Sequence, residues 1–215
     1  IQIGLVPVYV DINLETLNID TDQIKLAITN KTKIIMPVHT LGLPANMDAV
    51  MKIAKKNKLI VFEDCCEAHG ASIKNKKVGS IGHISAFSFF VAHNITTGEG
   101  GIILSNNRKL MEICKSIREF GRMDQKIANK NNRFFSNKKL KNYDKKYVFE
   151  RLGYNMRMTD IAAAFGVEQT KKLDLLNNKR VSNANYLIKK LNLKFNKHFS
   201  FQIPNSSSYH SYYGF

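Results

Sequence analysis

Only three cysteines occur in 215 residues, Cys65, Cys66 and Cys114, and no Cys-x-x-Cys pair is present. That is too few for a disulfide framework and fits a reducing cytoplasm. No run of 18 or more apolar residues exists, so no membrane span is expected. No basic stretch followed by a short apolar core opens the chain, which argues against a signal peptide. The chain begins at Ile1 rather than Met and stops in the aromatic-rich Tyr209–Phe215 stretch, so a fragment of a longer protein is expected. Three motifs are missing as well: the GxGxxG dinucleotide fingerprint, the HExxH zinc helix and the GxSxG nucleophile elbow. The six histidines and three cysteines are scattered without metal-ligand spacing, so no metal site is expected. Acidic residues are scarce, 17 against 33 Lys and Arg, for a formal charge of +16. Such an excess suits nucleic acid, a membrane surface or a phosphorylated small molecule. It is mostly lysine, spread along the chain and densest at 126–146 with few interleaved aromatics, and no nucleic-acid partner is expected.

What is present reads as alternating strands and helices. Leu5–Ile12, Lys33–Val38, Leu59–Phe62 and Ala86–Val91 are apolar runs of strand length, followed by a partner strand at Ile102–Leu104. Asp20 or Thr21 caps a helix to about Ile28. Asn46 caps a second, in which Met47, Val50, Met51 and Ala54 fall at i, i+3, i+4 and i+7. Residues 73–78 suggest a hairpin, and a helix is expected from Arg108 to about Phe120. Residues 123–146 read as a Lys- and Asn-rich loop. Thr159 caps a helix to Leu176 whose apolar side holds Ile161, Ala162, Phe165, Val167 and Leu173, and a further helix runs to Leu191. This pattern predicts an α/β fold with a mostly parallel sheet and flanking helices. Ligands gather beyond the carboxyl ends of such strands, and His39, Asp64 and His93 each follow an apolar strand and are expected to share that rim.

Taken alone, each candidate residue has two readings. Asp64 is a cap or surface carboxylate, or an anion held against a protonated ring nitrogen. Ser88 is a packed hydroxyl, or a donor to phosphate. A lone histidine at a strand end, His93, is most simply a hydrogen-bonded structural imidazole. Cys65 and Cys66 read as buried thiols. A Ser-His-Asp hydrolase is disfavoured because Ser88 lies inside its strand and not on a strained turn.

Several segments together resemble the DegT/DnrJ/EryC1/StrS sugar aminotransferase family of fold-type I pyridoxal-phosphate enzymes. They are VPVYVDINLETLNID (Val6–Asp20), IIMPVHTLGLPANMDAV (Ile34–Val50), EDCCEAHGA (Glu63–Ala71), VGSIGHISAFSFF (Val78–Phe90), TGEGG (Thr97–Gly101) and LGYNMRMTDIAAAFGVEQ (Leu152–Gln169). The resemblance implies a pyridoxal-phosphate-binding large domain over 1–180, lacking its amino-terminal part. Residues 181–215 would be a connecting helix and the start of a truncated carboxyl-terminal small domain. It implies that Asp64 pairs with the pyridine nitrogen and Ser88 contacts the cofactor phosphate. Asn155 would reach the phosphate of the partner subunit's cofactor, in a homodimer with shared sites. Glu67 stands at a cofactor-contacting position that is usually Gln. Arg122 and Arg157 sit beside matched motifs and read as contacts to the nucleotide diphosphate, or else as surface pairs.

The main departure is His93, five residues after Ser88, where aminotransferases carry the Schiff-base lysine. A histidine there resembles the branch of 3-dehydratases acting on nucleotide-linked 4-keto-6-deoxy sugars, with free pyridoxamine phosphate as the working form of the cofactor. An imidazole, which ordinarily titrates near neutrality, suits removal of the proton from the cofactor's C4′ carbon and its return to the leaving C3 hydroxyl. One subtype of the branch needs an iron–sulfur cluster and a reductase. Three of its four cysteine positions hold Asp124, Lys126 and Phe134 here, so a cluster is not expected. The other subtype acts on GDP-4-keto-6-deoxymannose and takes its amino group from glutamate. Alternatives are an aminotransferase using Lys74, Lys76 or Lys77, and a catalytically silent truncated homologue.

Overall fold

In the strand Ile60–Asp64 (β2), alternate residues turn inward. Val61 and Glu63 are fully buried, while Ile60 is exposed. In this computed structural model, which describes residues 2–123, 143–195 and 197–215, β2 is central in a four-stranded sheet. The order is β1 (Ile34–Ile35), β2, β5 (Ile84–Ser88) and β6 (Gly101–Leu104). The first three strands are parallel and β6 is antiparallel to β5. The expected α/β fold with a mostly parallel sheet is what forms.

Two helices cover one part of the sheet. Asp20 caps α1 (Thr21–Ala27), its carboxylate accepting the Asp22 and Gln23 N–H groups. Asn46 caps α2 (Met47–Asn57) through the Ala49 N–H. The apolar face of α2, Met47, Val50, Ile53 and Ala54, packs with Ile24, Ile35, Leu59 and Val61 into the main core. Burying side chains of this size contributes roughly 1.5–3 kcal/mol each. The hairpin expected near 73–78 is present as β3 (Ser72–Ile73) and β4 (Lys76–Lys77). Both of its turn residues, Lys74 and Asn75, have positive φ, as a two-residue hairpin turn requires. A short strand near the end of the chain, β7 (Ser208–Tyr209), adds to β3.

The chain divides into two compact units, one of residues 1–104 and 161–215, the other Ser105–Asp160. The second holds α3 (Arg108–Arg118), capped by Asn107, and isolated bridges Glu119↔Asn155 and Arg122↔Phe149. The first resumes with α4 (Asp160–Lys171) and the long α5 (Leu173–Phe195).

Three sequence expectations are corrected. Leu5–Ile12 forms no strand beyond a single bridge, Ile12↔Ile19, and Leu5, Val6, Val8 and Tyr9 are exposed. An apolar run becomes a strand only where a neighbour supplies its ladder. The helix expected to end at Leu176 stops at Lys171, and the next runs on to Phe195. Ile161, Phe165 and Val167 of α4 are 87%, 51% and 59% exposed, so they form no buried side here. At about 100° per residue, Val167 lies on the opposite side of the helix from Ile161 and Phe165, and one stripe cannot hold all three. Most of the expected loop at 123–146 lies outside the described residues.

Glu63 links the sheet to the chain around it. One carboxylate oxygen accepts the Ile81 and Gly82 N–H groups, the other the Gly79 N–H and His39 Nε2. The Ala45 N–H donates to His39 Nδ1, which puts the ring proton on Nε2, facing the carboxylate. Burial pushes the Glu63 carboxyl up. The His39 hydrogen bond and the Gly82 and Gly79 N–H groups outweigh it and hold the group below the usual carboxylate range. Gly79 has φ +84°, and a Cβ there would lie 2.6 Å from the Phe87 ring, so the turn needs glycine. Glu63→Ala leaves three N–H groups and a buried imidazole unpaired, and is expected to lower unfolding free energy by about 3–5 kcal/mol in urea titrations. Because its folded pKa is depressed, the stability Glu63 contributes is complete above the ordinary carboxylate value and is lost as pH falls through the folded one.

Candidate active site

Asp64 ends β2 and Ser88 ends β5, on adjacent parallel strands. Asp64 pairs in register with Ala86, and Ser88 lies two residues beyond Ala86, so the pleat puts Asp64 and Ser88 on the same face of the sheet. The Asp64 main chain is locked at both its polar groups to the segment that follows β1. Its N–H donates to Pro37 O at 2.9 Å, and its carbonyl accepts the His39 N–H at 3.1 Å. The half-buried carboxylate accepts the Cys66 N–H through Oδ1 at 3.1 Å. The Cys66 thiol is pushed up to about 12 by burial and by Asp64 beside it. The Ser88 hydroxyl accepts the Phe90 N–H at 3.2 Å, turning the chain at the strand end.

His93 rides on the turn between β5 and β6. The turn is stitched by Phe89 N–H to Gly100 O, Thr97 N–H to Phe89 O and His93 N–H to Phe90 O, at 2.9–3.0 Å. Its base is fixed by an amide chain that sequence reasoning missed. Asn94 Nδ2 donates to Asn177 Oδ1 at 3.0 Å, and Asn177 Nδ2 donates to His69 O at 2.7 Å. Both asparagines are buried. The only sequence trace of this chain is Gly70, where a Cβ would lie 2.5 Å from Asn177 Nδ2.

The His93 ring is bordered by Tyr213, His69 and Phe90, with centroids 5.4, 6.1 and 6.4 Å away. Its Nδ1 is buried and meets no hydrogen-bond partner among the described residues, and the same holds for both ring nitrogens of His69. Burial first, and the nearby His93 imidazole second, lower the His69 pKa to about 4, with the Ser88 main chain opposing them. A half-buried carboxylate, a strand-end hydroxyl and uncommitted imidazole nitrogens on one edge form a donor set that fits a phosphorylated aromatic cation such as pyridoxal phosphate.

Glu67 adjoins this edge, and its Oε2 accepts the Leu41 N–H at 2.7 Å. His39 does not join the rim. It is fully buried and committed to Glu63 and Ala45 at both ring nitrogens, because inward-facing Glu63 needs a donor there. His39, Glu63 and Cys65 cluster within 4.8 Å, but the imidazole and carboxylate atoms are already hydrogen-bonded and burial pushes the Cys65 thiol up. Of the three hairpin lysines, Lys74 pairs with Asp48 and Lys77 donates to Gly70 O at 2.8 Å, which gives these two amines partners outside this edge.

The other candidates belong to the second compact unit. Arg122 packs its guanidinium over the rings of Phe120 and Phe149, 5.5 and 5.6 Å from their centroids, with Nε buried and no partner for it among the described residues. Asn155 is exposed opposite Glu119, and Arg157 is exposed.

A family-level comparison agrees with this layout over its whole length. The sequence profile of the DegT/DnrJ/EryC1/StrS aminotransferase family matches residues 1–215. The chain belongs to that family. It is 36% identical over 214 residues to the GDP-4-keto-6-deoxy-D-mannose 3-dehydratase of Yersinia pseudotuberculosis, covering 100% of this chain and 53% of that protein. Among solved structures, the aminotransferase from Psychrobacter cryohalolentis superposes with a TM-score of 0.86 at 33% identity, over 99% of this chain and 53% of that one. An E. coli GDP-4-keto-6-deoxy-D-mannose-3-dehydratase with bound hydrated PLP gives 0.78 at 33% identity, over 95% and 51%. The chain spans about half the length of the curated relatives it matches, from 41% to 54%. The family thus includes proteins named as dehydratases and as aminotransferases on one fold. No helix among the described residues is long and apolar enough to cross a membrane.

His210 shares the state of His69. Burial lowers its pKa to about 4, against a weaker opposing effect of the Gly42 main chain. Both folded values lie below the ordinary 6.5, so the unfolded chain takes up protons first as pH falls. Stability is therefore expected to drop between pH 6.5 and about 4, by about 2 kcal/mol for each ring between pH 7 and pH 5. Urea unfolding across that range should show the drop, and a His69→Asn, His210→Asn double variant should flatten it.

Proposed function

We propose that the full-length protein is a sugar-nucleotide 3-dehydratase using pyridoxal or pyridoxamine phosphate. It would remove the C3 hydroxyl of a nucleotide-linked 4-keto-6-deoxyhexose on the way to a 3,6-dideoxy sugar. The observation that carries this reading is His93, placed five residues beyond Ser88 where an aminotransferase has its lysine. When bound, the cofactor supplies an amine for the sugar's ketone and an electron sink for the bond-breaking step.

In this reading Asp64 holds the charge on the ring nitrogen, Ser88 holds the phosphate and Glu67 supports the cofactor from the adjoining turn. Asn155 serves the partner subunit's cofactor phosphate, in a homodimer with shared active sites. Arg122, its guanidinium packed over two aromatic rings, and Arg157 bind the diphosphate of the sugar nucleotide. His93 takes the proton at the cofactor's C4′ carbon and returns one to the departing hydroxyl. A histidine cannot tie up the cofactor's carbonyl carbon as a lysine would, which leaves its amine for the substrate. Glutamate is the amino donor, no reductase or iron–sulfur cluster takes part, and the enzyme works in the cytoplasm. A lipopolysaccharide O-antigen would be a fitting destination for the product. Residues 1–180 belong to the cofactor-binding domain and 181–215 lead into a smaller carboxyl-terminal one.

Full-length protein given pyridoxal phosphate, glutamate and GDP-4-keto-6-deoxymannose is expected to release ammonia. His93→Asn should abolish that release, and wild-type turnover in the variant would remove His93 from the base role. His93→Lys should produce the visible absorbance shift of an internal Schiff base, while the wild type should not.

A further inference from the structure

Imidazole bases are commonly oriented by a hydrogen bond to the nitrogen that does not react. His93 lacks that device: its buried Nδ1 has no hydrogen-bond partner among the described residues. Ring packing is what holds the side chain, and the nearest of the three bordering rings is Tyr213, at 5.4 Å and tilted by 39°. Phe90 comes from the same turn as His93 and moves with it. The His69 ring nitrogens meet no hydrogen-bond partner among the described residues.

Tyr213, by contrast, is fastened from two sides. Its N–H donates to Leu41 O at 2.9 Å, and its carbonyl accepts from Arg180 of α5 at 3.1 Å. The same arginine approaches the Tyr212 carbonyl at 3.4 Å. Leu41 stands at φ +55°, and its N–H is held by Glu67, so the turn that fixes Tyr213 is itself tied to the cofactor edge. On the other side, Ser211 N–H donates to Gly42 O at 3.0 Å. A Cβ at Gly42 would lie 2.6 Å from Ser211 Oγ, a close approach that only glycine permits.

We propose that Tyr213 is a positioning residue for His93. Its ring, carried on a main chain clamped by Arg180 and the 41–42 turn, selects the imidazole rotamer in place of the missing hydrogen bond. The role rests on the dehydratase reading for its catalytic consequence, but not for its structural one. It requires the ring and not the phenol. Tyr213→Phe is therefore expected to keep turnover within about twofold of wild type. Tyr213→Ala should lower kcat by roughly 10- to 100-fold with little change in KM for the sugar nucleotide, since an ångström of misplacement has effects of that order. Arg180→Gln, which leaves the ring in place and loosens its clamp, should fall between them.

The deciding measurement does not depend on activity. In histidine-labelled full-length protein, the His93 ring resonance, identified by its disappearance in His93→Gln, should shift in Tyr213→Ala and stay put in Tyr213→Phe. An unmoved resonance in the alanine variant overturns the proposal. So does a phenylalanine variant as impaired in kcat as the alanine one, which would make the hydroxyl the working group. If the wild type releases no ammonia, the dehydratase reading fails while the resonance arm still decides the positioning role.

Discussion

A carboxylate inside a sheet has to be satisfied from every direction, and the region around the candidate site is built on that requirement. Glu63 gathers the N–H groups of Gly79, Ile81 and Gly82 and the imidazole of His39. Through them it binds the segment entering β5 and the segment leaving β1 to the central strand. The next residue on that strand is Asp64, so the half-buried carboxylate of the candidate site directly follows the one that fixes the backbone. Adjacent residues of a strand face opposite ways, which is how two acids in sequence can have such different tasks. An unpaired buried acid would shift its pKa and neutralise; this one stays ionised because its hydrogen bonds outweigh its burial.

The His93 turn follows a second constraint, that a loop beyond the sheet ladder must draw its rigidity from other contacts. Here side-chain amides and aromatic rings add to the main-chain hydrogen bonds that stitch the turn. Asn94 and Asn177 fix the base of the turn, and Tyr213, His69 and Phe90 surround the imidazole. Arg122 is held in a similar way, a planar group packed over two rings. Fixing polar groups by packing leaves their hydrogen-bonding atoms for a ligand, whereas fixing them by hydrogen bonds would consume those atoms.

Much of the fold could be read from the residues, because the signals involved are local. The caps Asp20 and Asn46, the α2 stripe and the hairpin at 73–78 each depend on neighbours within a few positions. What escaped depends on distant partners. A two-residue strand at Ser208–Tyr209 has no periodicity to detect, and Asn177 reads as one more polar residue of a helix. His39 was misplaced for a related reason: an apolar run ending in polar residues shows where a strand stops, not which way its last side chains face. Leu5–Ile12 shows the converse, an apolar run without a ladder. The family was legible through motif order, and the geometry adds how those motifs are held.

The Asn94–Asn177–His69 chain also sets an order of events. It joins residues 83 and 108 positions apart. During synthesis the strands β1 to β6 and their core emerge well before α5 does. The turn bearing His93 thus has its sheet support long before it has its amide anchor or the Tyr213 wall. The surroundings of that imidazole are therefore complete only once the later third of the chain has been made and docked.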